Sequence, residues 1–127
     1  MFMQQDWLMR QIETMIAAII QLLSGKAGGE YSLKDELEQE QSAELKQKLT
    51  NLLKEGKLDE AENLLFFELE DGDENVLAVA IDFYQQANTL SDEELEQQGF
   101  TRSELLDGLG DVAKQYGLFI PGFFDKP

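Results

Sequence analysis

Acidic side chains are the residues of this sequence that could do chemistry. The 127 residues include 26 Asp and Glu, with no His and no Cys. The chain therefore lacks the commonest general base, the commonest metal ligand and all thiol chemistry. Carboxylate pairs such as Glu68 with Asp71, or Asp92 with Glu96, are ordinary on an acidic helical surface. We assign no catalytic residue and no cofactor site, and we do not expect an enzyme.

A short acidic segment, EDGDEN, is the best candidate for a ligand site. Asp71, Asp73 and Asn75 have the alternate spacing of a calcium-binding loop, and Asp82 falls at the twelfth position. However, Val76 stands at the sixth position, where that loop needs Gly. The competing interpretation is an acidic turn in which Asp73 caps the following helix. We expect the turn, and keep Asp71, Asp73 and Asn75 as candidate metal ligands.

The charge of the chain restricts its partners. The formal net charge is −16 at pH 7, and residues 1–29 are the neutral part. Such a field repels nucleic acid phosphates and anionic lipid surfaces, so we expect neither nucleic acid nor membranes as partners. The Gly-rich segment 25–32 does not follow a strand and lacks a phosphate-binding pattern, which indicates a linker.

A helical hairpin over residues 43–69 is the element that must position the acidic segment. Leucines at i, i+4, i+7 and i+8 mark one face of its first helix, and Gly56 is suited to the left-handed conformation that ends a helix. In the second helix, apolar residues lie on more than one side. We therefore place this hairpin at the centre of the fold. Ser32 or Ser42 is expected to cap a helix that leads into it.

Residues 4–24 predict a long amphipathic helix with a wide apolar arc. Two alternatives stay open: the arc is core of a single chain, or it pairs with its own copy in a two-fold homodimer. The candidate interface residues are Leu8, Ile12, Met15, Ile16, Ile19 and Leu23. Asp6, Arg10 and Glu13 interrupt this segment too early for a signal peptide or a membrane span, so we expect a cytoplasmic protein.

The rest of the chain predicts further helices over 74–116 and an apolar tail over 117–127. Two capping boxes, Ser91 with Glu94 and Thr101 with Glu104, mark two helix starts. Gly108 weakens the last helix, which indicates a close neighbour there. The tail carries Leu and Phe residues that either dock on the bundle or bind a partner.

Two motifs resemble known families. Around the hairpin turn, Gly56, Leu58, Ala61 and Leu65 are similar to the centre of a tetratricopeptide repeat, although Leu49 and Glu68 depart from it and no second copy follows. A helix reading DWLMRQI and a hairpin reading GKLDEAENLLF together resemble a family of small, uncharacterised bacterial proteins, mainly Gram-positive. That resemblance implies an all-helical fold and no known activity.

The sequence thus predicts an all-α, single-domain helical bundle of five or six helices with a central tetratricopeptide-like hairpin. The leading functional hypothesis is a non-catalytic protein-interaction or regulatory module whose protein partner is unknown. The alternative is a small-ligand or metal-binding protein that uses the acidic loop 70–75.

Overall fold

A computed structural model describes residues 2–26, 32–71 and 73–118. Within these ranges the chain is all-α, without strands. Its seven helices are α1 (Phe2–Lys26), α2 (Leu33–Leu37), α3 (Glu40–Lys54), α4 (Leu58–Leu69), α5 (Glu74–Ala87), α6 (Asp92–Gln97) and α7 (Arg102–Gln115). The prediction of an all-α bundle is confirmed. The helices outnumber the expected five or six because the segment before the hairpin is itself a separate helix, α2.

The polar residues that precede four helices form the predicted caps. Asp73 Oδ1 accepts the backbone N–H of Asn75 at 3.0 Å and so begins α5. The boxes of Ser91 with Glu94 and Thr101 with Glu104 are both complete. Ser32 caps α2, whereas Ser42 lies inside α3 and caps nothing. Local hydrogen bonding thus fixes where these helices start.

The turn between α3 and α4 is closed by Gly56, whose φ is +75°. The N–H of Lys57 donates to the carbonyl of Leu52 at 2.8 Å, and the N–H of Gly56 donates to that of Leu53 at 3.1 Å. This pair of bonds satisfies the last carbonyls of α3 in a Schellman motif. The predicted helical hairpin is therefore present.

The centre of the bundle is α5, which packs against α1, α2, α3, α4 and α7. Eight of its residues are buried, from Leu77 to Ala87. The hairpin does not occupy the centre, as we had expected from the sequence, because α4 keeps an exposed side that includes Phe67. The hairpin instead forms one wall, with α3 lying along α5.

A buried arginine joins the end of α5 to the start of α7. The Arg102 guanidinium donates to the backbone carbonyls of Asn88 and Leu90 at 2.9 and 2.8 Å, and to the Asp92 carboxylate at 2.8 Å. The side chain of Asn88 accepts a further bond from Arg102 and donates to the carbonyl of Met9 in α1. Four helices meet at this cluster.

Two predicted segments fall partly outside the described residues. Of the Gly-rich linker, residues 27–31 lie outside, and the prediction that the apolar tail docks concerns residues 119–127, which also lie outside. Leu118 is the last described residue and is buried. In the described ranges, no helix is long and apolar enough to cross a membrane.

Candidate functional site

A cavity of about 330 Å³ opens between the first half of α3 and the connection from α4 to α5. We call it the acidic cavity. Its position follows from the fold, because α3 packs along α5 while the acidic turn carries the chain past the N-terminal end of α5. Its lining residues are Gln41, Ser42, Glu44, Leu45, Lys48, Glu68, Asp71, Asp73, Asn75, Val76 and Val79.

The electrostatics of the acidic cavity are set by four carboxylates and one lysine. Glu44 and Lys48 come from α3, Glu68 comes from the last turn of α4, and Asp71 and Asp73 come from the turn. An acid of α3 thus faces the same space as three acids of residues 68–73, which are distant from it in sequence. With four negative groups against one positive group, the cavity attracts cations.

Ser42 belongs to the same wall, but its hydroxyl is closed to solvent. Ser42 is only 1% exposed, and its Oγ has no hydrogen-bond partner among the described residues. Buried hydroxyl groups are nearly always paired, and leaving one unpaired costs roughly 1–3 kcal/mol. In the sequence Ser42 is a possible helix cap; in the fold it is an unpaired polar group beside a cluster of carboxylates.

The candidate metal ligands Asp71, Asp73 and Asn75 all line the acidic cavity. Asp73 uses one carboxylate oxygen to cap α5, which confirms the capping interpretation. Asp82, the twelfth residue of the calcium-loop alternative, accepts a hydrogen bond from Gln86 within α5 and does not line the cavity. In the part of the chain that the structure describes, no group of three or more Asp and Glu residues is arranged to hold a metal ion.

Tyr116 anchors the acidic turn from outside. Its hydroxyl donates to the backbone carbonyl of Asp73, which joins the end of α7 to the start of α5. Burial, together with the charges of Asp73 and Glu74, raises the pKa of Tyr116 to about 12. The phenol therefore stays protonated at neutral pH and remains a donor that holds the turn beside the cavity.

A second group of acids surrounds a pair of side chains from α4 and α5. The Tyr84 hydroxyl donates to Glu62 Oε2 at 2.7 Å. Burial raises the pKa of Glu62, and the neighbouring charges of Asp59, Glu104 and Asp111 add to this, while the bond from Tyr84 opposes it. The Tyr84 hydroxyl and Glu62 Oε2 are partners of each other, so we treat the pair as a packing feature of the α4–α5–α7 junction.

The six candidate interface residues of α1 are placed inside the single chain. Ile12 and Ile19 are fully buried, and the α1 helix packs against α7 and α5. The other members of the set, Leu8, Met15, Ile16 and Leu23, are each at most 8% exposed. Of the two alternatives, the structure shows the core, and the face is not open to a second copy.

Part of the cavity wall was not identified from the sequence. Glu44, Glu68 and Lys48 are unremarkable members of an acidic helical sequence, and Ser42 has the residue type of a helix cap. The available signal was the hairpin itself: once α3 and α4 are antiparallel, the start of α3 and the end of α4 lie together. Which residues of those ends face the cavity depends on the rotation of each helix.

The arrangement as a whole is that of a small, negatively charged cavity on an all-α scaffold. No curated protein and no solved structure matches the chain. The bacterial origin and the tetratricopeptide likeness stay predictions. A family model described as "Family of unknown function (DUF6483)" matches residues 2–117. Because this match covers most of the 127 residues, the chain belongs to that family of unknown function.

Proposed function

We propose that the protein is a non-catalytic interaction or regulatory module that binds a positively charged ligand in the acidic cavity. The observation that carries this proposal is the gathering of four carboxylates, opposed by one lysine, around one space. A bound cation would neutralise part of this charge, which favours binding.

Binding without catalysis is supported by the surroundings of Ser42. A serine nucleophile requires an adjacent general base within hydrogen-bond reach. Ser42 Oγ has no hydrogen-bond partner among the described residues, and the whole sequence contains no His that could act as its base. The cavity therefore supplies polar contacts and charge rather than an activated group.

A metal ion is the second candidate ligand, because Asp71, Asp73 and Asn75 share the cavity wall. The capping role of Asp73 occupies one of the oxygens that such an ion would need. Among the described residues, no three acidic side chains form a group that could hold such an ion. Both candidates can be compared in one experiment.

The experiment measures the thermal unfolding midpoint with Mg²⁺, Ca²⁺, a lysine-rich peptide and an aliphatic diamine. A ligand that binds only the folded state raises the midpoint, by an amount set by its concentration relative to Kd. We expect a cation-dependent rise that is lost in Glu68→Gln/Asp71→Asn. The control, Glu93→Gln/Glu96→Gln, makes the same charge change on α6 away from the cavity. Equal loss in both variants, or no rise with any cation, would contradict the proposal.

A further inference from the structure

We propose that the interface between α4 and α7 is a pH-sensitive switch, which is tight when Glu62 carries a proton and loosens when Glu62 is ionised. The switch is independent of the ligand proposed for the acidic cavity. Three observations support it: the place of the α4–α7 interface in the bundle, the position of the Glu62 carboxyl within it, and the charges that face that carboxyl.

The α4–α7 interface lies between two pairs of helices. The α4 helix packs mainly on α3, its partner in the hairpin, and α7 packs mainly on α1. All four helices also pack on α5, which holds the two pairs together. A groove of about 410 Å³ lies open between α4 and α7. This interface can therefore loosen while the α3–α4 and α1–α7 pairs stay intact.

Glu62 reaches from α4 to the backbone of α7. Its Oε2 accepts a hydrogen bond from the Tyr84 hydroxyl at 2.7 Å, and both groups lie directly against Gly108 of α7. A Cβ atom added at Gly108 would collide with both of them. Because Tyr84 is fully buried, it fixes the carboxyl in this position. The protonation state of Glu62 thus acts on the point where the two helices approach most closely.

Among the described residues that line the groove, every charged side chain is a carboxylate. The lining residues are Asp59, Glu62, Phe66, Gly99, Phe100, Glu104, Asp107, Gly108 and Asp111. On the α5 side, Glu62 meets the uncharged Tyr84 hydroxyl, and α3 contributes no residue to this lining. The two bases of α7, Arg102 and Lys114, also lie outside it. Ionisation of Glu62 therefore adds one more negative charge to the groove, and its repulsion from the acids of α7 opposes the contact.

The direction of the switch follows from the coupling of folding to protonation. Burial raises the pKa of Glu62, and the hydrogen bond from Tyr84 opposes this rise. The neighbouring charges of Asp59, Glu104 and Asp111 add to it. The Tyr84 phenol stays protonated, because burial and the Glu62 charge raise its own pKa. The stabilisation from protonated Glu62 is thus complete below the unfolded pKa and is lost as the pH rises through the raised pKa.

The test is amide hydrogen exchange between roughly pH 5 and pH 8, with each rate divided by the intrinsic rate of an unfolded amide at the same pH. We expect the α4 amides to be several-fold more protected at the lower pH, relative to those of α1. Glu62→Gln should remove this difference, because Gln stays neutral. Glu96→Gln makes the same charge change on an exposed position of α6 and should keep it. A difference that persists in Glu62→Gln, or an equal change in α1 and α4 of the wild type, would overturn the proposal.

Two further variants should move the switch in opposite directions. Tyr84→Phe removes a donor that favours the ionised carboxyl, so the titration midpoint of Glu62, measured by carbon-13 NMR, should rise. Glu104→Gln/Asp111→Asn removes two charges that disfavour ionisation, so the midpoint should fall. The pH at which the protection of α4 changes should move with the midpoint. A midpoint that moves while the protection of α4 does not would show that Glu62 titrates without acting on the interface, and the proposal would be wrong.

Discussion

Gly108 shows how closely the helices approach one another at a single residue. It lies in α7, opposite the Tyr84 hydroxyl and the Glu62 carboxylate, and a Cβ atom added there would collide with both. Tyr84 cannot move aside easily, because its ring is fully buried and stacks edge-on with Phe83. The cost of a glycine inside α7 is therefore offset by the space it leaves for the Tyr84–Glu62 hydrogen bond.

We predict that Gly108→Ala lowers the free energy of unfolding by roughly 1–2 kcal/mol. Overpacking typically costs about 1–3 kcal/mol, and the better helix propensity of Ala returns about 1 kcal/mol at most. Gly25→Ala is the matched control, because it lies in α1 with no atom near its added Cβ and should hold or gain stability. Unfolding in urea measures the free energy of unfolding of both variants. A gain at Gly108 equal to that at Gly25 would show that α7 has room to shift.

We predict that Glu62→Gln stabilises the fold at neutral pH, and that this advantage shrinks as the pH falls. Burial and neighbouring carboxylates raise the pKa of Glu62 in the folded chain, so folding favours its protonated form. That stabilisation is present below the unfolded pKa and is lost as the pH rises through the raised pKa. Gln stays neutral at every pH, and its side-chain oxygen can still accept the hydrogen bond from the Tyr84 hydroxyl.

The measurement for Glu62→Gln is the free energy of unfolding in urea at several pH values between neutral and roughly pH 5. The exposed Glu96→Gln provides the baseline for the loss of one negative charge from a chain at −16. A constant difference between Glu62→Gln and wild type across that pH range would mean that the Glu62 carboxyl does not titrate there.

The end of α5 is held by a single buried side chain. The chain leaves the helix at Asn88, and Arg102 donates to the backbone carbonyls of Asn88 and Leu90 in this connection. A positive charge at a helix C-terminus also interacts favourably with the helix dipole. Arg102 is 2% exposed, so water cannot take its place.

We predict that Arg102→Met lowers the free energy of unfolding by about 3 kcal/mol. The substitution keeps much of the apolar stem but leaves two carbonyls and the Asn88 amide oxygen without their donor. Arg10→Met is the matched control, because Arg10 is exposed on α1 and should change stability by less than about 0.5 kcal/mol. Similar urea midpoints for both variants would contradict the role given to the Arg102 cluster.

The sequence predicts the elements better than their arrangement. Local signals placed Asp73, Ser91, Thr101 and Gly56 at helix ends, because caps and turns depend on residues a few positions apart. The short helix α2 was not separated from α3, since its residues favour helix throughout and Gln39, at the start of α3, makes no side-chain capping bond.

The candidate site was predicted only in part. The acidic loop was found because its residues are adjacent in sequence, and all three candidates line the cavity. The contribution of α3 to the wall, above all Ser42, was not found because it depends on how α3 is rotated against α5. The role of Arg102 was missed because its acceptors lie 10 to 14 residues earlier in the chain.

At the scale of the whole molecule, the neutral N-terminal helix is an internal element of an otherwise acidic protein. The apolar arc of α1 packs on α7 and α5, while the acidic groups of residues 35–71 and 73–111 lie mostly on exposed positions. Like charges on one surface repel, and salt screens that repulsion beyond about 10 Å. The six candidate interface residues of α1 are thus buried within one chain, beneath an acidic surface.

We therefore predict that Ile12→Asp unfolds the chain rather than separating two copies. Ile12 is fully buried within one chain, so a carboxylate there would be an unpaired buried charge and should cost more than about 4 kcal/mol. Far-UV circular dichroism should show loss of helix, and Glu13→Lys on the exposed side should keep it. Light scattering of the wild-type chain should give a mass near 14.4 kDa at all concentrations. A folded Ile12→Asp variant with half the wild-type mass would instead show that α1 pairs with its own copy.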